Sequence, residues 1–362
     1  MSRHSQTLWD IEPHTGAKHE ILRRYLGAWF AILGPRNPRI VYIDGFCGPG
    51  RYAGGEDGSP LIALKQAQGQ RHLESTQITF LFIDHRADRI AHLQQEIAAF
   101  RPPGNFSIHA IVNEFENTLE GILAETDSGE RSLAPTFAFI DPFGFKGAGF
   151  QIVRRLLSNQ RTEIFINIMA DSVIRFLEHP EHVQREHITN LLGAAQNEIE
   201  RVVASADRKA SIRALYLAKL QECASFVRFF SMISDRNKEI YDLFFASNHR
   251  LGHKKMKEAF WKVDPLSGFK FSDRTDADQP VLFDADPSHE VANQLSTQFR
   301  GKTRDSRAVI EFVEDYTAFI DIHARKALWA LEQDGRIQVE PMKADGKRRV
   351  ARTFPPGVRI GF

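Results

Sequence analysis

The chain has 362 residues, more than one small core needs, and this suggests a main domain with an accessory one. Charged residues make up 26% and apolar residues 42%, which are globular proportions, and the net charge of +1 excludes a protein that is basic as a whole, so a nucleic-acid partner would need a local patch. Two cysteines, Cys47 and Cys223, exclude a multi-thiolate metal site and a disulfide framework; no metal is expected. No apolar run reaches membrane-spanning length and residues 1–20 show no signal-peptide core, so a cytoplasmic protein is expected. The 28 phenylalanines, against 6 tyrosines, read as a large core.

Residues 14–33 read as an amphipathic helix, with Ile21, Leu22, Tyr25, Leu26, Trp29, Phe30 and Leu33 at helical spacing. Thr15 is its candidate N-cap and Gly34-Pro35 its stop. Next comes an apolar run, 40–43, that ends in Asp44 and the glycines Gly45, Gly48 and Gly50. Ser59 and Pro60 read as the N-cap and first residue of a helix over 61–68. Further strands are expected at 77–84, 106–112, 136–140 and 163–169, alternating with helices at 87–100, 118–125 and 149–157. Residues 171–222 are helical and too long for a simple crossover, so part of them reads as an inserted lobe. Residues 226–234 and 239–246 read as an antiparallel hairpin, followed by a basic helix at 249–263.

Residues 273–290 are acidic, contain proline and read as a linker. Three helices are expected beyond it, at 290–299, at 307–316 (or a helix with a short strand there) and at 320–333. A hairpin then pairs 337–341 with 348–354 around Asp345-Gly346. That arrangement is winged-helix-like. Its wing carries Lys343, Lys347, Arg348, Arg349 and Arg352.

Alternating strands and helices imply parallel βαβ units with right-handed crossovers. Four strands in succession then end in an acid or amide: Asp44, Asp84, Asn113 and Asp141. In an open α/β sheet all four face one crevice at the carboxyl edge, where such folds bind ligands. His14, Lys18 and His19 cluster at the start of the first helix and by themselves read as a solvated helix end.

Five parallel strands closed by an antiparallel hairpin resemble the class I S-adenosylmethionine-dependent methyltransferase fold, with a seven-stranded Rossmann-like sheet. Asp44-Gly45-Phe46-Cys47-Gly48-Pro49-Gly50 is similar to motif I of nucleic-acid methyltransferases and fits neither G-x-G-x-x-G nor the P-loop. The resemblance implies S-adenosylmethionine over Asp44, Gly45, Phe46, Gly48 and Gly50. Asp84 would take the ribose hydroxyls, and Asn113 or Glu114 would lie near the adenine. Asp141-Pro142-Phe143-Gly144 resembles the (D/N)-P-P-(Y/F) motif of amino-methyltransferases, without its second proline. By that likeness Asp141 and Pro142 hold the acceptor amine and Phe143 stacks on an extruded base.

Over nearly its whole length the chain also resembles the three-Cys-motif partner protein (TcmP) family. The resemblance rests on His14-Thr15-Gly16-Ala17-Lys18-His19, on residues 42–52, on Gly58-Ser59-Pro60, on 139–144, and on 247–249 through 261–262. It implies a separate three-Cys protein, resembling a radical S-adenosylmethionine enzyme, as partner. It gives His14, Lys18, His19 and Arg51 a place near the site. Two basic features suit DNA or RNA: Arg250, Lys254, Lys255 and Lys257 on the helix at 249–263, and Lys347, Arg348 and Arg349 on the wing. The expected organisation is a methyltransferase-like domain over 1–275, a linker over 276–290 and a winged-helix-like domain over 291–362. The expected function is methyl transfer to nucleic acid or a nucleotide. The alternative is a non-catalytic binding subunit that keeps the fold.

Overall fold

The computed structural model describes residues 6–128, 132–142, 144, 147–177, 182–273, 286–342 and 345–362. They form two compact units, and the boundary falls within one helix: residues up to Met256, with the segment that starts at Lys270, make the first, and Lys257–Phe269 with the C-terminal residues make the second.

The first unit opens with α1 (Pro13–Leu33), whose N-cap is Glu12 and whose first turn carries Pro13. Proline supplies a pre-set φ where no amide is needed, so the helix starts there and Thr15 lies inside it. β1 (Arg39–Asp44), α2 (Ser59–Gln68), β2 (Gln77–Asp84), α3 (Ala87–Phe100), β3 (Phe106–Val112), α4 (Phe115–Asp127), β4 (Thr136–Ile140), α5 (Phe150–Ser158) and β5 (Thr162–Ile168) follow in strict alternation. The cap of α2 is Gly58, which leaves Ser59 as its first residue. The long helical stretch divides into α6 (Ala170–Leu177), α7 (His182–Leu192), α8 (Gln196–Ala204) and α9 (Arg208–Gln221). β6 (Phe226–Ile233), β7 (Glu239–Ser247), α10 (Arg250–Val263) and β8 (Lys270–Ser272) complete it.

The sheet order is β3-β2-β1-β4-β5-β7-β6-β8. β1 to β5 run parallel, and β7 is antiparallel to both β5 and β6. The first seven strands thus have the class I methyltransferase-like arrangement. β8 is an eighth strand, parallel to β6 at the edge. Its three residues, Lys270–Ser272, are too few to show a strand period in the sequence. The central strands are buried on both faces, which is why they read as unbroken apolar runs. Phenylalanine fills the face under α1: Tyr25 sits 5.2 Å from both Phe137 and Phe245, ring centre to ring centre, and Tyr42 stacks on Phe137.

The second unit has α11 (Ser288–Gln298), β9 (Thr303–Asp305), α12 (Ser306–Tyr316), α13 (Asp321–Gln333), β10 (Gln338–Val339) and β11 (Arg359–Gly361). It resembles a winged-helix unit, with the three strands in the order β10-β11-β9. The partner of β10 is β11, not residues 348–354 as expected. Residues 348–354 make one isolated bridge, Met342 to Arg348, and Arg352 has φ 65°, a left-handed conformation that breaks a strand. The expected linker at 276–290 lies largely outside the described residues, and α11 begins at Ser288.

Candidate functional site

The strand order reverses between β1 and β4, so the loops after these strands part and open a crevice at their carboxyl ends. Asp44, Asp84 and Asp141 all stand there, and their environments differ.

Asp84 is 3% exposed and well supplied with donors. One oxygen accepts the Gly48 amide at 3.1 Å, the other accepts the Arg86 amide at 2.9 Å, and the Arg89 guanidinium lies 3.6 Å away. Asp44 is fully buried and poor in donors. Ser59 and Tyr42 reach it, yet its Oδ1 has no hydrogen-bond partner, and burial pushes its carboxyl up to about 7.

The glycines serve different ends. A Cβ on Gly45 would fall 2.6 Å from the Phe115 ring, so this glycine makes room for packing. Gly48, at φ 62°, meets only the Trp9 ring at 3.6 Å and offers bare backbone to the crevice. Phe46 packs on Phe115, and Gly147 lies close to both Phe46 and Glu114, which gathers one wall of the site. Asn113 and Glu114 are exposed beside it, and the Asn113 side chain accepts the Glu114 amide.

Asp141 is gripped from two sides. Lys18, on α1 and 4% exposed, donates to Oδ2, and Asn167, at the end of β5, donates to Oδ1 at 2.7 Å. The Lys18 ammonium also stands 5.2 Å from the centre of the Tyr241 ring. His14 holds Asp273 at 3.1 Å through Nδ1 and Glu12 at 3.3 Å through Nε2, and Tyr241 donates to its carbonyl. These groups, with Pro142 and Trp9, line one cavity of about 490 Å³. Phe143 lies outside the described residues. A smaller space of about 30 Å³ sits directly over the glycine loop, walled by Trp9, His19 and Tyr52. Burial pushes the His19 imidazole down to about 3, which keeps it neutral, and its Nδ1 has no partner. Arg51 braces the loop, bonded to Glu96, Asp57 and the Gly55 carbonyl.

The structure therefore brings His14, Lys18 and Asp141 together, and adds Trp9, Asn167, Tyr241 and Asp273, which sequence reasoning missed. Asn167 was visible as a polar side chain between Ile166 and Ile168 in an otherwise apolar run. Asp273 stood in a stretch read as linker; β8 carries it to His14.

The basic residues expected to hold phosphate are otherwise engaged. Lys257 is 2% exposed, and its ammonium reaches the carbonyls of Val313, Glu314 and Thr317 at 3.3, 2.7 and 2.8 Å. Arg349 pairs with Glu332 and covers the Phe354 ring. Lys347 is exposed beside Asp345, and Arg348 is tied into the bridge to Met342. Arg250, Lys254 and Lys255 lie on the first turns of α10, none of them free of interactions. On α13 the His323 ring is buried against Trp261.

Among solved structures the chain resembles an O-methyltransferase of Bacillus cereus in complex with SAH, at 13% identity over 66% of this chain and 82% of that one, with a TM-score of 0.35. It also resembles TomG, an O-methyltransferase of tomaymycin synthesis from Streptomyces achromogenes in complex with SAM (10%, 62% and 79%, 0.32). A third is a precorrin 8W decarboxylase of Methanobacterium thermoautotrophicum (10%, 60% and 86%, 0.28). At these values the likeness concerns the fold alone. No family model matches the chain, and no curated protein matches it.

The resemblance to the three-Cys-motif partner family is accordingly corrected: no family model supports it. The three-Cys partner falls with it. So do the nucleic-acid acceptor and the non-catalytic subunit keyed to it, because Lys257, Arg349 and His323, expected to face phosphate, are committed inside the second unit.

Proposed function

We propose that the chain is an S-adenosylmethionine-dependent methyltransferase that acts on a small-molecule acceptor held beside Asp141. The observation that carries this reading is the Lys18–Asp141–Asn167 constellation. It opens into a cavity of about 490 Å³ next to the glycine loop. When bound, S-adenosylmethionine supplies an activated methyl group on a sulfonium centre.

The residues present fit that cofactor. Gly48 presents backbone without a side chain to its methionine end. The unpartnered Oδ1 of Asp44 suits an ammonium group. Each Asp84 oxygen keeps lone-pair capacity for a ribose hydroxyl, and Phe46, Asn113 and Glu114 would border the adenine.

Asp141 cannot swing, because both its oxygens are held. Each still has a second lone pair with which to hold an acceptor N–H or O–H and draw on its proton. Catalysis on this reading is mostly positioning. Trp9 and Tyr52, packed edge to face, wall one side of the cavity. The carboxylates of Glu12, Asp141, Asp235 and Asp273 outnumber the cations Lys18 and Arg89 in the same cavity, which also holds His14, and favour a neutral or cationic acceptor over an anionic one. A reducing cytosol is the working compartment of this reading, supported by two free cysteines, one of them buried.

Calorimetric titration with S-adenosylmethionine and S-adenosylhomocysteine tests it. Saturable binding is expected with Kd below about 1 mM, weakened about tenfold or more by Asp84→Ala and kept within about threefold by Asp141→Asn. Absence of heat through the millimolar range would overturn the proposal.

A further inference from the structure

A second cavity lies at the opposite end of the same sheet, where the strands begin. Pro135, just before β4, Arg161, just before β5, and Asn37, just before β1, all line it, and its volume is about 310 Å³. None of the groups of the candidate site touches it. Its walls are mostly apolar: Trp29, Ile32 and Leu33 from α1, and Leu251 from the first turn of α10. Leu251 is 46% exposed, an uncovered apolar side chain at the cavity mouth.

The polar groups around it are unevenly matched. Glu163 lies at its floor, fully buried, and is already satisfied by Tyr25 at 2.7 Å and Ser247 at 2.7 Å. Trp29 is 3% exposed, and its indole N–H stands near Glu163 without a bond of hydrogen-bonding geometry. Arg36 and Arg161 stand at the rim. Their hydrogen bonds go to neutral groups, the Ile32 carbonyl at 2.6 Å and the Asn37 amide oxygen. Among the described residues neither has a carboxylate partner.

We propose that this cavity is a second ligand site, for a small amphipathic monocarboxylate. Its apolar body lies along Trp29, Leu33 and Leu251, and its carboxylate meets Arg36 and Arg161. Guanidinium groups are suited to a carboxylate, because their planar donors match its two oxygens. The apolar walls select against small inorganic anions, which have no surface to bury. Because α1 carries Trp29 and Leu33 at one end and Lys18 at the other, the ligand would grip the same helix that closes the candidate site.

Octanoate is the probe, with octan-1-ol and octylamine as its neutral and cationic matches, each titrated calorimetrically into the full chain. Octanoate is expected to bind at least about tenfold tighter than either. Arg161→Gln and Arg36→Gln are each expected to remove most of that preference while octanol binding stays unchanged. Binding should quench the indole emission, and Trp29→Phe should remove that quench. Equal binding of octanol or octylamine would overturn the proposal, as would undiminished octanoate binding in both arginine variants or no binding at all. A thermal scan of each variant separates lost binding from lost fold. The proposal does not depend on the methyltransferase reading: titration with S-adenosylhomocysteine in the same samples reports on that reading by itself.

Discussion

Asp44 and Asp84 end adjacent strands and read alike in the sequence, yet their chemistry diverges. The neighbours that decide it, Gly48, Arg86 and Arg89 for one and Tyr42 and Ser59 for the other, are set by loop geometry. Asp44 carries a folded-state pKa of about 7, raised above its unfolded value mainly by burial. The sign follows: between about pH 4 and pH 7 the folded state holds a proton that the unfolded state has released, so this residue's contribution to stability falls as pH rises through that window. Asp44→Asn is therefore expected to become more stable relative to the parent chain from pH 5 to pH 7 and to level off above, by a few kcal/mol at most on the order-of-magnitude scale of one pKa unit per ~1.4 kcal/mol. Urea unfolding at pH 5, 6, 7 and 8 measures it, and a difference independent of pH would refute the assignment. The positions of Asp44, Asp84 and Asp141 were legible in the sequence, because a polar residue that ends an apolar run marks a strand's end. Which of them lacks donors was not, because hydrogen-bond supply depends on chain segments far away in sequence.

At the scale of elements, α10 shows how a basic helix can be misread. Its cationic run suggests a phosphate-binding face, but Lys257 turns inward and caps the carboxyl end of α12, where the last carbonyls have no amide partners. Trp261, one turn on, donates to the Ala318 carbonyl from the same side. Period and charge identify a helix and its polar residues; they do not tell which polar residue answers a helix terminus some 56 residues away. Lys257→Met should cost about 2–4 kcal/mol, since three buried acceptors lose their donor together. Lys347→Met, at an exposed position beside Asp345, should stay within about 0.5 kcal/mol. Thermal unfolding followed by circular dichroism compares the two, and equal losses would mean that the cap carries no weight. The wing failed as a paired hairpin for a related reason. Asp345-Gly346 is a turn signal, but the return segment passes through a left-handed Arg352, and β10 finds its partner at Arg359–Gly361.

At the scale of the molecule, the alternation of strands and helices in the first unit, with its closing hairpin, was readable in the sequence, whereas β8 and the composition of the site were not. The site takes residues from Trp9 to Asp273. Trp9 lies against Gly48, edge-on to Tyr52 and under the Arg89 guanidinium, and its carbonyl accepts the Ala53 amide. That leaves about 30 Å³ directly over the glycine loop, so on the proposed reading a cofactor entering there is expected to displace Trp9. S-adenosylhomocysteine is therefore expected to change the tryptophan emission, and Trp9→Phe should abolish most of that change even though Trp29, Trp261 and Trp329 remain. Emission that responds equally in the variant would show that Trp9 stays in place. The contact between His14 and Asp273 spans 259 residues of chain. Contacts of that span are slow to form, because the loop they close must be ordered before they stabilise anything. A chain still emerging from the ribosome would thus have its central strands paired before its cavity had a wall, and synthesis itself would leave that cavity incomplete until β8 and Asp273 had been made.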